Sequence, residues 1–346
     1  MTDSEFTHRS TFHEIIYEKK DWVAAVTINR SKVYNAFSLR TLQELGEAFR
    51  DAAFDDSVAV VVLTGAGERA FCTGADVKEY AREYTHRPRE YWKYIAQMGE
   101  CLNRLRHIGK PTIARINGIV AGGGNELNLT CDLAIMAEHA SIRQVGTRVG
   151  SVAALGATQW LPIVVGDRRA REILWLCEEI EAQKCLDWGL VNQVVPSVRG
   201  ADGNYLNLTG AGEVKAALED PANRIDLTAL DEAVLLMCQK LIDKFPECLR
   251  YTQQQTNFWK DFAWTMTMGH AQDWLALHFA CLEPYEGMTA FVEKRPPDYR
   301  GLRERAAQGG SSEFLWGSYR RTCPRCGAKG LPEEFRFCGR CGAALE

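Results

Sequence analysis

Two hydrophobic rhythms alternate along the first half of the chain. Trp22 to Asn29, WVAAVTIN, is an apolar run of strand length. Ser38 then precedes Leu42, Leu45 and Phe49 at helical spacing, which predicts a capped helix. Val58 to Thr64, VAVVVLT, is apolar at nearly every place and so predicts a strand covered on both faces of a parallel sheet. Pro88 to Ile108 has the length and spacing of a long helix with Trp92, Ile95, Leu102 and Leu105 turned inward. Pro111 to Ile116 reads as a strand closed by Asn117-Gly118, Leu127 to Leu129 falls on a helix, and Leu133 to Met136 reads as a further strand. Strands alternating with helices predict an α/β domain.

Beyond this region the pattern changes. Residues 197–225 are rich in Gly, Asn, Asp and Glu and predict a surface insertion with a short helix near Glu213 to Leu218. Leu227 to Ala280 returns to helical spacing, with Leu230, Val234, Met237 and Leu241 in step. Pro296-Pro297 and Gly309-Gly310-Ser311-Ser312 mark a linker. The expected organisation is a core over 1–225 carrying the insertion, a helical region over 226–295, a linker over 296–318 and a small terminal module over 319–346. No internal repeat is seen.

Composition narrows the function classes. The length of 346 residues allows more than one domain, or one large core with an appendage. A net charge of −4 supplies no general basic field, so nucleic acid is not an expected partner. Met1 to Lys20 is polar and lacks an apolar secretory core, and no apolar run reaches the roughly 20 residues of a membrane helix. Eight of the twelve cysteines are scattered through apolar surroundings, as expected of small buried side chains in a reducing compartment, so the cytoplasm is the expected location.

The other four cysteines form two CxxC pairs, Cys323-Pro-Arg-Cys326 and Cys338-Gly-Arg-Cys341, each followed by a glycine. Paired thiolates at this spacing match a tetrahedral zinc site, and the glycines allow the tight turns that aim backbone N–H groups at sulfur. The segment is too short to build a core, so zinc would supply most of its folding free energy. It resembles a zinc ribbon of the rubredoxin-like kind. Four cysteine ligands make a closed, structural site. From Ser318 onward there are six Lys/Arg and three Asp/Glu, an excess too small to name a partner for the ribbon.

Two glycine-containing loops carry the candidate chemistry. Ala70 to Glu79, AFCTGADVKE, follows the first buried strand, and Asn117 to Leu127, NGIVAGGGNEL, follows the second. Three glycines leading into a helix expose backbone N–H groups at its positive end, where an oxyanion formed from a thioester can be held. Neither loop has the GxGxxG spacing of a dinucleotide site.

Together the loops resemble the paired oxyanion-hole segments of the crotonase (enoyl-CoA hydratase) superfamily, FxxGADxKE and NGxxxGGGxE. The resemblance runs from about Phe12 to Ala280 and takes in ITINRSKVYNAFS and AREILWLCEEIEAQKCLDWGLVNQVVP. It implies a spiral of ββα units, a helical tail that drives trimers often paired as hexamers, and an acyl-CoA thioester as substrate. By position, Thr73 and Gly123 would donate the two oxyanion N–H groups and Glu126 would be the acid/base carboxylate. Lys78, with Ala75 and Asp76 in the same loop, is the candidate contact to coenzyme A. Typical hydratases place a second glutamate in a GQPE-like run; here the run is Arg143-Gln144-Val145-Gly146, with glycine in the carboxylate's place. Gln144 is then a candidate to position a water, and the vacated space suits a bulkier substrate. Tyr80, Tyr84, Tyr91, Trp92 and Tyr94 are candidates for the acyl pocket or for core. None of the seven histidines has ligand-like spacing.

Two branches of the superfamily share that glycine. The 1,4-dihydroxy-2-naphthoyl-CoA synthases are set apart by Val145 and Ala153, where that branch carries Thr and Asp. The ring-opening 6-oxocyclohex-1-ene-1-carbonyl-CoA hydrolases match through FCTGADVKEY, PREYWKYI, GSVAALGATQWLPIVVG and the insertion after Val195, and differ in TGAD for TGGN and in the terminal ribbon. The resemblance therefore implies addition of water to a cyclic enoyl-CoA, followed by ring cleavage. Simple enoyl-CoA hydration or isomerisation, and a catalytically silent CoA-binding adaptor bearing a ribbon, are the alternatives.

Overall fold

The computed structural model of the chain describes residues 12–208 and 210–345. The polar stretch expected over Met1 to Lys20 lies partly outside the described residues, but its end, Ile15–Lys20, forms strand β1, which the sequence pattern did not announce. It pairs antiparallel with β2, Val23–Ile28, through a turn in which Asp21 and Trp22 both have positive φ, as a tight hairpin requires. β3 (Val60–Gly65), β5 (Thr112–Ile116), β7 (Leu133–Ala137) and β10 (Gln193–Val195) then add in parallel, giving the order β1-β2-β3-β5-β7-β10. Every residue of β3 is buried, in keeping with its unbroken apolar run. A second sheet takes the short strand that follows each main strand: β4 (Ala70–Cys72), β6 (Ile119–Ala121) and β8 (Ser141–Arg143) run parallel, and β9 (Ile180–Glu181) closes it antiparallel.

Helices connect these strands. α1, Leu39–Phe54, starts at Ser38, whose hydroxyl accepts from Thr41 N, and buries Leu42, Leu45 and Phe49. α2, Val77–Glu79, continues into a π-turn over Tyr80–Tyr84, and α3 spans Pro88–Arg106. Ile95, Leu102 and Leu105 face inward on α3, but Trp92 is 44% exposed and donates to Asp273 Oδ1 at 2.9 Å. Its indole N–H needs a partner, and the surface supplies one, so the inward placement expected for it is corrected. α4 (Gly123–Thr130), α5 (Ala157–Val165), α6 (Asp167–Leu176) and α7 (Ala182–Asp187) complete the strand connections.

The insertion is a small brace of its own. β11 (Val198–Arg199) and β12 (Arg224–Ile225) pair across α8, Ala211–Glu219, and Asp226 joins Arg199 and Tyr205 at their base. The helical region holds α9 (Thr228–Ile242), α10 (Pro246–Thr256), α11 (Phe258–His278) and α12 (Leu282–Glu293). On α9, Leu230 and Val234 are buried as expected, while Cys238 takes the innermost place in the last turns and Met237 and Leu241 are only half-buried. The stretch read as linker contains a helix, α13, Tyr299–Ala307, capped by the Asp298 side chain. β13 (Arg321–Thr322) and β14 (Lys329–Leu331) form the terminal ribbon.

The described chain divides into two compact units. One comprises the residues up to Asp76, Lys93–Gly146 and Ala153–Gln272; the other comprises Val77–Trp92, Thr147–Val152 and the residues from Asp273 onward.

Candidate active site and metal centre

The first unit brings both glycine loops together. β6 ends at Ala121, and Gly122, with a φ of +49°, turns the chain into α4. A Cβ on Gly124 would lie 2.0 Å from Cys72 O, so only glycine lets the helix rest on the end of β4. Across the gap, Gly74 has φ +85°, and a Cβ there would lie 2.8 Å from Gly123 N. The loop after β4 and the positive end of α4 therefore meet backbone to backbone.

Side chains and backbone from distant elements hold that loop. Phe37 N donates to Gly74 O and Asp76 N donates to Phe37 O, a bridge that aligns Phe37 with Ala75. Arg30 reaches Asp76 Oδ2 at 3.2 Å, and Thr73 Oγ1 donates to Tyr34 O at 3.1 Å. Asn35 and Asn117, both buried, tie the preceding residues through Ala66 O, Gly67 O and Ala70 O. The Gly74 N–H reaches Cys72 Sγ and the Asp76 N–H is taken by Phe37. Since neighbouring amides of an extended segment point to opposite sides, the Ala75 N–H faces away from Phe37.

Glu126 stands in the first turn of α4 and is 3% exposed, with Leu127 and Leu129 buried beside it. Among the described residues no cation pairs with it. Burial pushes its carboxyl up to about 8, against a partial relief from its own backbone amide. The group is thus largely protonated at neutral pH and able to give or take a proton near it. Cys72 lies close enough to feel its charge; burial is the larger cause holding that thiol up at about 12.

Gln144 follows β8, whose Arg143 O accepts from Gly122 N at 3.1 Å. It is 0% exposed, and among the described residues neither Oε1 nor Nε2 has a hydrogen-bond partner. Such an amide costs about 1–3 kcal/mol per orphaned group unless a bound molecule completes it. Gly146 opens a right-handed 3-10 turn, Gly146–Arg148, a backbone that any L-residue can adopt. In the second unit Lys78 is exposed on α2, while Tyr80, Tyr84 and Tyr91 are buried together around Phe279, with Tyr91 stacked on it at 3.5 Å. These three are core of that unit. Tyr94, in the first unit, is buried too.

The second unit also holds the cysteine cluster. The Sγ atoms of Cys323, Cys326, Cys338 and Cys341 lie within 4.8 Å of one another, with Cys323–Cys341 at 3.6 Å and Cys326–Cys338 at 3.7 Å. A tetrahedron with metal–sulfur bonds of about 2.3 Å has edges of about 3.8 Å, so the donor set fits zinc. The two halves repeat one construction. Gly327 N donates to Cys323 O and Cys323 N to Ala328 O; Gly342 N donates to Cys338 O and Cys338 N to Ala343 O, with both glycines at positive φ. Backbone N–H groups aimed at the sulfur, that of Cys326 first, bring the Cys323 thiol down to about 6. Leu331, Phe335 and Leu345 supply a very small apolar backing.

Comparison with known proteins reads this geometry in one direction. The sequence profile of the enoyl-CoA hydratase/isomerase family matches residues 18–203, which include both loops, Glu126 and Gln144. The chain belongs to the enoyl-CoA hydratase/isomerase family. It is an enzyme fold of the crotonase superfamily, as the paired loops implied, with a helical C-terminal region and a four-cysteine terminal cluster added. Within this family the chain is 33% identical over 311 residues to a 6-oxocyclohex-1-ene-1-carbonyl-CoA hydrolase of Geobacter metallireducens, covering 83% of this chain and 81% of that one. A hydrolase of the same name from Thauera aromatica is 34% identical over 310 residues, covering 82% of each chain. Among solved structures, an enoyl-CoA hydratase of Bacillus anthracis matches 84% of this chain and 100% of its own, at 29% identity and a TM-score of 0.59.

The sequence names Thr73, Gly123, Glu126 and Gln144 as site candidates, and the first unit contains the elements that bear them. Sequence reasoning missed Arg30, Asn35 and Asn117 as the groups that fix the loop. A signal for two of them exists in NRSKVYN and NG, polar residues closing strands. The carbonyls that Asn35 and Asn117 hold in the loop, however, lie 31 to 50 residues away in sequence.

Proposed function

We propose that this enzyme is an acyl-CoA hydratase/hydrolase that adds water to a cyclic enoyl-CoA and then opens the ring. The observation that carries the reading is Glu126, a buried carboxyl with no cation beside it among the described residues, in the first turn of a helix whose positive end abuts the loop Thr73–Asp76. In the first step water adds to the β-carbon and a proton to the α-carbon, with Glu126 moving that proton. In the second step water adds to a ring ketone next to the α-carbon. The bond between them breaks, its electron pair moving to the thioester as an enolate, while the ketone carbon leaves as a carboxylate. The Glu126 carboxylic acid protonates the α-carbon, one proton of the added water returns to the Glu126 carboxylate, and the other passes to solvent as the new carboxyl ionises.

In this reading the enolate oxygen is held by Gly123 N–H and one loop N–H. Thr73 is the donor expected from the family pattern; the hydrogen bonding of the loop makes Ala75 an equally placed alternative. Gln144 offers one acceptor and two donors, the set needed by a water on one side and a ring oxygen on the other. Gly146 leaves room for the ring. Lys78 reaches a phosphate of coenzyme A; Asp76, engaged by Arg30, shapes the loop rather than the ligand. The four cysteines hold one structural zinc, the chain works in the cytoplasm, and exposed apolar side chains on α11 join copies into a trimer or a pair of trimers.

The test is incubation of the purified protein with cyclic and linear enoyl-CoA thioesters, with products read by mass. Gain of two waters on the cyclic substrate is expected. Gain of one water on both substrates, with no ring opening, would replace this reading by simple hydration, the activity named for the Bacillus anthracis protein. A silent module is disfavoured by the cost of keeping an unpaired carboxyl buried without a use for it.

A further inference from the structure

We infer that Lys260 is a positioning residue for the reaction, holding the catalytic helix from its far end. This rests on the reading of Glu126 and Gly123 given above. α4 is only eight residues long and carries both groups, so any slip along its axis displaces donor and carboxyl together. Its last carbonyls have no partner within the helix. Lys260, near the start of α11, sends Nζ to Leu129 O at 2.8 Å and meets that need with a cation at the negative end.

The lysine is itself held from several sides. Trp160 on α5, fully buried, donates from Nε1 to Lys260 O at 3.2 Å, and the Lys260 ammonium lies 5.7 Å from the same ring. Trp160 stacks on Trp264 of α11 at 5.4 Å, and the buried Arg106 guanidinium lies over both rings. Asp132, just beyond α4, accepts from Thr112 and from Gln253 of α10, and its charge faces the lysine. α5, α10 and α11 thus converge on the end of α4 opposite the chemistry. A misplacement of about 1 Å at a distance from the reacting atoms can cost about 10²-fold in rate.

The experiment compares Lys260→Met and Lys260→Arg with Glu126→Gln, measuring kcat and KM on the acyl-CoA substrate and amide hydrogen exchange over residues 123–130. Lys260→Met is expected to lower kcat by about 10- to 100-fold with KM changed less than about threefold. It should also speed exchange in α4, and Lys260→Arg should restore most of the rate. If Lys260→Met does not fold, Lys260→Gln is read in the same way. A kcat within about twofold of the parent, equal losses in kcat and KM with exchange unchanged, or an arginine variant as poor as the methionine one overturns the inference. If Glu126→Gln is inactive while Lys260→Met is not, only the positioning role falls. If Glu126→Gln turns over normally, both fall.

Discussion

At the scale of single residues, the proposed chemistry turns on a carboxyl kept out of water. Glu126→Gln should leave folding and thioester binding intact and lower turnover by about 10²-fold or more, the usual scale for losing a general acid or base. Its raised pKa sets two pH dependences. In the parent, kcat/KM should fall on the alkaline side with a break near pH 8, and that break should be missing from the residual activity of the variant. Stability carries the same signature. A carboxyl raised from 4.5 to about 8 on folding contributes stability that is fully present below 4.5 and lost as pH rises toward 8. Thermal melts from pH 5 to 8 should therefore favour Glu126→Gln over the parent by a growing margin; a constant margin would count against burial as the cause. Gly146→Glu addresses the substrate. Because position 146 lies in a right-handed turn, the change carries no φ penalty. Overfilling a packed site costs about 1–3 kcal/mol, or about 5- to 150-fold in rate. Activity on a ring substrate should fall by that factor while crotonyl-CoA hydration holds or rises. Equal loss on both substrates would remove the argument from ring size.

Among the elements, the terminal ribbon is the one whose stability is expected to come from a ligand. One zinc per chain is expected by metal analysis of the purified protein, and Cys338→Ser should release it, since three thiolates and a hydroxyl make a much poorer set. The segment leading into the ribbon is itself latched, and one ion pair reaches the ribbon. Arg305 on α13 donates to Ser311 O and Phe314 O and lies 3.7 Å from Glu334, and Leu282 N donates to Ser312 O. Truncation after Gly310 deletes these acceptors at about 1 kcal/mol of net stability each. The truncated enzyme should melt a few degrees lower yet keep turnover within about twofold. Loss of both assembly and turnover would show the ribbon to be part of the working oligomer.

At the scale of the whole molecule, α11 leaves Phe258, Trp259, Phe262 and Met266 more than half exposed, Trp259 at 62%, and three of them pack on one another. A contiguous apolar patch of this kind is uncommon on a chain that works alone. Sedimentation should find trimers or hexamers for the parent and smaller species for Trp259→Glu; an unchanged distribution would move the interface elsewhere. Among the described residues no helix is long and apolar enough to cross a membrane. Much of this architecture was legible in the chain. The apolar run of β3, the Ser38 cap of α1, the glycines where β6 meets α4 and the four ribbon cysteines are local patterns, set by side chains two to four positions apart. The triple glycine even marks where an added Cβ would strike Cys72. Tertiary structure alone decided the rest. It buried Glu126 and so moved its proton affinity, spent Asp76 on Arg30 across 46 residues, put Tyr80, Tyr84 and Tyr91 into a core while Trp92 faced out, and brought Lys260 to Leu129 across 131. Burial and charge pairing belong to whatever the fold brings alongside a residue, and no short window of sequence contains those neighbours.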